Sequence, residues 1–296
     1  MPYVRDTLAI QDANIVIGEG CRISPDAWLG AGTQIADHVR IDADVVIGEN
    51  NIIAHGAVIK SGTRIGDRNQ IGEYCILGGA PLIARPTQKP GQLQIGHDNV
   101  IREFATFQVG TGPSDVTRFG SHNYIMPNVQ IGHDSQVGSH ITMTNQTALC
   151  GHVTVEDKAV LGVGVHVHQH CRIGMLAMVG ASAYVSQDIV PFTLVDGRTG
   201  NVVSLNKIGL TRSETPAATI SQMKQAFRVI FREGLSREAI YDRLQGVDVP
   251  QVQQMLAFLK ASRRGYEKAR RSSSTSSKAT AAEGSIELTI YRGEAA

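Results

Sequence analysis

An aliphatic residue returns every six positions along most of the chain. The first run is Ile17, Ile23, Leu29, Ile35, Ile41, Ile47, Ile53, Ile59, Ile65, Ile71 and Leu77. The phase comes back at Ile95, Ile101 and Phe107. It then continues through Phe119, Ile125, Ile131, Val137, Met143, Leu149, Val155, Leu161, Val167, Ile173, Val179 and Val185. An amphipathic helix repeats at 3.6 residues, so this pattern is not helical. Small or polar residues often follow the aliphatic one, among them Gly18, Gly48, Gly132 and Gly162. Modest side chains such as Cys21, Ala27, Thr33 and Val39 sit four positions after it. The physical reading is a parallel β-helix. Each six-residue unit makes a short strand and a turn with the aliphatic side chain inward. Three units close a triangular coil of 18 residues, and coils stack at about 4.8 Å, the spacing of neighbouring strands.

Two stretches interrupt the period. Residues 79–94 (GAPLIARPTQKPGQLQ) and 110–118 (GTGPSDVTR) are rich in Pro, Gly and polar residues. They read as loops pushed out of the coil, where substrate and partner contacts tend to gather. After Val185 the period stops. Residues 215–234 carry helical spacing through Ile220, Met223, Phe227, Ile230 and Phe231. Residues 236–246, with Ser236 as N-cap and Gly246 as a stop, and residues 250–265 follow as further helices. The expected organisation is a β-helix over 1–190, a small α-helical C-terminal domain over 191–265, and a disordered Ser/Ala-rich tail over 266–296.

Composition limits the partners. The 296-residue chain has a formal net charge of +1, which gives no general attraction to nucleic acid or an anionic membrane. No apolar run approaches the roughly 20 residues of a membrane-spanning helix. The N-terminal sequence lacks the charged and apolar blocks of a signal peptide. Four cysteines without C-x-x-C spacing read as free thiols in a reducing cytoplasm.

The coil also sorts the histidines. Ile131, Leu149 and Val167 lie 18 apart on one face. His133, His152 and His168 follow them by two, three and one positions, so the three are expected along one edge. Gln169 stacks beyond Gly151 and His133, and His170 stacks on His152. His140 stacks on His122 on a different face. His133 is the candidate general base, because imidazole accepts a proton near neutral pH. Asp134 beside it can fix the tautomer and stabilise the imidazolium. The nucleophile is then a hydroxyl on the substrate, and the Gly151 N–H is a candidate oxyanion donor. The plainer reading is that polar residues stack on exposed faces for solubility, and His122, His140 and His166 are assigned to it. A zinc site on His166, His168 and His170 is an alternative, since these share a side if the strand runs on. No cofactor is called for.

The segments IGHDSQVG (131–138), LCGHVTVEDKAVLG (149–162), VHVHQHCRIG (165–174), LNKIGLTR (205–212) and REGLSREAI (232–240) resemble the UDP-N-acetylglucosamine O-acyltransferases that open lipid A biosynthesis. The resemblance spans about residues 10–265. It implies a left-handed coil, although the usual crossover rule favours the right hand. It further implies a homotrimer with sites between neighbouring prisms, an acyl donor on acyl carrier protein, and a UDP-sugar acceptor. By motif match His133 would deprotonate the sugar 3-hydroxyl, Asp134 would orient it, and Gly151 would hold the oxyanion. His152, His168 and Gln169 would contact sugar or donor. Asn206 and Arg212 would contact the nucleotide, and Ala181 falls where acyl length is set. The basic residues Arg85, Lys89 and Arg102 would face the acidic carrier. Several positions depart from the family pattern. Gln130 stands where the family has a second histidine, the 78–86 loop (GGAPLIARP) lacks its acid, and Ile208 and Ser213 replace a glutamate and an arginine. These departures point to an acceptor such as an amino-substituted or other nucleotide sugar. Two competing readings are an acetyl-CoA-dependent or zinc-dependent hexapeptide enzyme and a non-catalytic trimeric paralogue that binds a nucleotide sugar.

Overall fold

The computed structural model describes residues 14–84 and 90–269. Arg85, Lys89 and the stretch 270–296 lie outside them. The strands are mostly two residues long and fall into three sheets of 11, 9 and 8 strands. Sheet 1 begins at Val16–Ile17, sheet 2 at Arg22–Ile23 and sheet 3 at Trp28–Leu29. Each strand pairs in parallel with the strand one coil away: Ile17 opposes Ile35, Ile23 opposes Ile41, and Leu29 opposes Ile47. The register is therefore the 18-residue coil expected from the period. Its aliphatic residues point inward and are almost wholly buried, for example Ile53, Leu77, Ile131, Leu149 and Val167 at 0% exposure. The small residue four positions later fills the corner of the same core, as Val39, Ala57 and Cys75 do.

Most corners place one residue in the left-handed region of backbone space. Asp44, Asn50, Asp98, His122, Asp134, His140, His152 and His170 are among those that occupy it, with φ between 55° and 62°. Asn, Asp and His are the side chains that tolerate this region best after glycine. Much of the histidine content of the coil is thereby a corner requirement. At the edge between sheets 3 and 1, buried Asn51, Asn69, Asn99 and Asn123 form a ladder. The Asn69 and Asn99 Nδ2 groups donate to the Oδ1 of the preceding asparagine at 3.0 and 2.8 Å. The ladder satisfies polar groups that would otherwise be costly in the core.

The two interruptions leave from one place. The first follows Ile76–Gly79 and returns at Gln92–Ile95, and the second follows Thr106–Gln108 and returns at Val116–Phe119. Both emerge at the edge between sheets 2 and 3. Across them Ile65 pairs with Ile95 and Ile95 with Phe119, so the stack closes around both inserts without losing phase.

Sheet 1 runs on past residue 190. Thr193–Val195 pairs in parallel with the strand at Met178, and Val202–Leu205 folds back antiparallel on it. Helices α1 (Lys207–Arg212), α2 (Ala217–Phe231), α3 (Arg237–Leu244) and α4 (Pro250–Ala261) follow. Ser236 caps α3 as its sequence suggests, accepting the Ala239 N–H at 3.2 Å. The chain then returns to the coil. Tyr266 bridges to Asp188 and Ala269 to Val202, so the first residues expected as tail are paired. Glu267 Oε1 accepts from the Ser186 and Gln187 N–H groups at 3.4 and 3.2 Å. No described helix is long and apolar enough to cross a membrane.

Candidate active site

His133 and Asp134 turn the corner between sheets 2 and 3, just after the strand Gln130–Ile131. The His133 Nδ1 lies 2.8 Å from Asp134 Oδ2, and the two side chains are only 14% and 9% exposed. Beside an ionised carboxylate Nδ1 carries the proton, which leaves Nε2 as the basic nitrogen. Asp134 is held from the inserts. The Thr111 N–H donates to Oδ1 at 3.1 Å and the Thr111 hydroxyl to Oδ2 at 3.0 Å. The Asp134 N–H donates to Thr117 Oγ1 at 2.8 Å. Burial pushes the Asp134 carboxyl up. Hydrogen bonds from His133 and Thr111, with the charge of His152, outweigh it and leave the group below the usual carboxylate range.

The backbone of His133 is fixed as well. Its N–H donates to Gln108 Oε1 at 3.1 Å, and the same oxygen accepts the Leu82 N–H of the first insert at 3.2 Å. One buried glutamine thus ties both inserts to His133. Gly151 lies one coil beyond His133, and a Cβ there would run into the imidazole ring. The Gly151 carbonyl accepts the His170 N–H at 3.1 Å, while its own N–H meets no acceptor among the described residues. A glycine here is therefore demanded by the ring above it.

The imidazole row differs from the sequence expectation at one member. His152 stands edge-on to His133 at 5.2 Å and stacks flat on His170 at 4.5 Å. Its Nε2 is 3.4 Å from Asp134 Oδ2. The row is His133, His152 and His170, whereas the His168 ring turns to Tyr184 at 6.5 Å and to its neighbour's carbonyl. The corner explains this, because His152 and His170 share the left-handed position and His168 precedes it by two. Gln169 follows Gly151 in the column under His133. The alternative zinc reading fails on the same geometry. The strand stops at Val167, His166 turns to the Gly164 carbonyl, and His170 is engaged with His152. His133, Asp134 and His152 do present ligand atoms within 4.8 Å of one another.

Asn206, Arg212 and Ala181 lie away from this cluster. Asn206 caps α1, accepting the Gly209 N–H at 3.0 Å and donating to the Leu176 carbonyl at 2.9 Å. Its amide is thereby committed within the chain. Arg212 is exposed at the end of α1, and Ala181 is exposed at the edge between sheets 1 and 2. Gln108, Thr111 and Thr117 were missed by sequence reasoning. The signal was present for Gln108, since Phe107 precedes Ile131 in the stack and Gln108 must sit beside the His133 corner.

A family model described as domain 2 of UDP-N-acetylglucosamine O-acyltransferase matches residues 188–266, and a model of bacterial hexapeptide transferases matches 44–79. The acyl-[acyl-carrier-protein]--UDP-N-acetylglucosamine O-acyltransferase of Alkalilimnicola ehrlichii is 38% identical over 169 residues, 56% of this chain and 66% of that one. That of Thiobacillus denitrificans is 40% identical over the same length and shares. The match thus spans just under two thirds of these curated relatives. The solved UDP-N-acetylglucosamine acyltransferase of Campylobacter jejuni is 34% identical with a TM-score of 0.72, covering 84% of this chain and all of that chain (100%). The Bacteroides fragilis enzyme is 30% identical with a TM-score of 0.81, covering 84% of this chain and 98% of that chain. The chain belongs to the UDP-N-acetylglucosamine O-acyltransferase family. Its coil is accordingly the left-handed parallel β-helix of that family, followed by a small helical region. Within the family fold, the His133–Asp134 corner is where both inserts converge.

Proposed function

We propose that this chain transfers a fatty acyl group, a 3-hydroxyacyl group by family resemblance, from acyl carrier protein to the 3-position of UDP-N-acetylglucosamine or a related UDP-sugar, the first step of lipid A biosynthesis. The observation that carries the reading is the buried 2.8 Å contact of His133 Nδ1 with Asp134, which leaves Nε2 beside Gly151. His133 Nε2 takes the proton of the sugar hydroxyl as its oxygen attacks the thioester carbonyl. The carbonyl oxygen gains charge, and the Gly151 N–H is the donor offered to it. As the intermediate collapses the C–S bond breaks. The thiolate leaves on the carrier and takes the proton back from the imidazolium. Asp134 stabilises that cation between the two proton transfers.

Acceptor identity is the part in which the chain departs from its relatives. Leu82 is 74% exposed near the start of the first insert, one Gln108 amide away from His133. Gln130, Ile208 and Ser213 stand where the family pattern has a histidine, a glutamate and an arginine. These features favour an acceptor that differs from ordinary UDP-N-acetylglucosamine, with an amino-substituted sugar as the first candidate.

The assembly we infer is a homotrimer. Ala181 lies on a different edge from His133, so an acyl chain running from one to the other passes between prisms rather than along one. The outward side of sheet 1 carries exposed Val16, Ile52 and Tyr124, which suits burial against another copy. His152, His168 and Gln169 line the open edge as contacts for sugar or donor, and Arg212 is free to meet a nucleotide phosphate. The enzyme would act in the cytoplasm, where its carrier-bound donor is made. Mass analysis of products from a panel of acyl carrier protein thioesters with UDP-N-acetylglucosamine and its 3-amino analogue tests this. An acylated UDP-sugar is the expected result. No product from any pair, with the trimer intact, overturns the reading.

A further inference from the structure

The row at the 2–3 edge contains one imidazole that the reaction above does not use. Asp134, His152 and His170 succeed one another in the same corner position of three coils, with φ of 60°, 58° and 62°. Asp134 Oδ2 faces two rings at once, His133 at 2.8 Å and His152 at 3.4 Å. The placement of the carboxylate before His133 therefore depends on where His152 stands. His152 is 42% exposed, and a side chain that open has rotameric freedom unless something holds its face. His170 supplies that face, 4.5 Å away and within 12° of parallel. Its own backbone is tied to the Gly151 carbonyl at 3.1 Å, so it moves with the oxyanion corner.

We infer that His170 is a positioning residue for the reaction proposed above: by stacking on His152 it keeps that imidazole against Asp134 and so helps hold the carboxylate in place for His133.

Charge around His170 supports the role. Burial, His152, Arg264, His133 and His168 all disfavour its cation and hold it below the ordinary imidazole value. Above that value the ring is neutral, and His152 rests on an uncharged partner that does not compete for Asp134. Arg264 is fixed at this end of the row by its own bond to the Ser186 carbonyl at 3.3 Å. Glu267, three residues further, anchors the same returning segment on Ser186 and Gln187.

The test compares His170→Phe, which keeps a flat ring, with His170→Ala, which removes it. Ring-labelled histidine NMR of the free trimer reads the His152 shifts and the cross-relaxation between the His152 and His133 rings. Kinetics of acyl transfer read kcat and KM. The expected result is that His170→Phe leaves the ring contact in place and kcat within about threefold. His170→Ala should abolish the contact and lower kcat about tenfold with little change in KM, the scale of a modest misplacement of reacting groups. Two outcomes overturn the inference: His170→Ala leaving both ring contact and kcat unchanged, or His170→Phe failing as badly as His170→Ala. A wild type with no transferase activity would defeat the proposed reaction instead, and the NMR comparison would still decide whether His170 places His152.

Discussion

Two edges of the prism carry stacked histidines beside aspartates, and they are built differently. At the edge between sheets 3 and 1, His122 and His140 stack at 4.9 Å and 10°. His122 comes only to 4.0 Å from Asp98, and its side chain is 53% exposed. Asp98 is already claimed by Arg68 through two bonds of 2.8 and 2.9 Å. At the edge between sheets 2 and 3, the His133 carboxylate partner pairs with no arginine among the described residues, lies almost wholly covered, and is gripped by Thr111. Both histidine stacks follow from the same corner geometry, which admits His, Asn and Asp by conformation alone. Proximity of imidazole to carboxylate therefore says little in this fold. What would separate a base from a corner residue here is a wall of inserted chain and a carboxylate held by that wall and its histidines rather than by an arginine.

Matched substitutions at the two edges sharpen the contrast. Asp134→Asn should lower kcat roughly a thousandfold, because an amide can stabilise the wrong imidazole tautomer and no longer supports the cation. Asp98→Asn should change the rate less than about twofold, and steady-state kinetics of the pair would show it. The 3–1 edge should matter to stability instead. Asn99→Ala removes a rung of the buried ladder and leaves Asn69 Oδ1 without its side-chain donor. The expected cost is about 1–3 kcal/mol in denaturant unfolding, with turnover per folded molecule unchanged.

A smaller effect is expected at Thr111. Asp134 is depressed in the folded state, so its contribution to stability is present above the ordinary carboxylate pKa. It is lost as pH falls through the depressed value. Thr111→Val deletes one of the lowering hydrogen bonds, so acid-induced loss of stability should begin at higher pH. An accompanying fall in kcat of about three- to tenfold is expected on the scale of one positioning bond. Acid titration of folding with and without the substitution checks the direction. The thiols give the mildest contrast. Burial pushes Cys75 and Cys171 up to about 11, whereas Cys150 is exposed. A disulfide reagent at neutral pH should label Cys150 in the native protein and reach Cys75 and Cys171 only on unfolding.

The coil was legible because its cause is local. A six-residue recurrence of one inward side chain determines the register, so the neighbours of Ile131 could be read as Leu149 and Val167, and they are. The stacking of His170 on His152 and of His140 on His122 followed from the same arithmetic. His168 was placed in the row by counting coils, but position within the corner decides where a ring points, and His168 comes before the turn. Thr111 belongs to residues where the period breaks, so no column predicts what it touches, whereas Gln108 follows Phe107 in the column and was within reach of the same counting. The capping role of Asn206 could not be read from its shared motif, because it depends on the helix that the residue starts. The strands at Thr193–Val195 and Val202–Leu205 were hidden for a similar reason: they leave the six-residue spacing yet still cover the open end of sheet 1.

The account rests on His133 being a base and His140 a corner. Measuring kcat/KM for acyl transfer in His133→Ala and His140→Ala, both checked for native folding and assembly, compares them directly. The predicted result is a loss of at least about a hundredfold for His133→Ala, the scale of a missing general base, and less than about twofold for His140→Ala. Equal losses in the two variants, or full activity in His133→Ala, would contradict it.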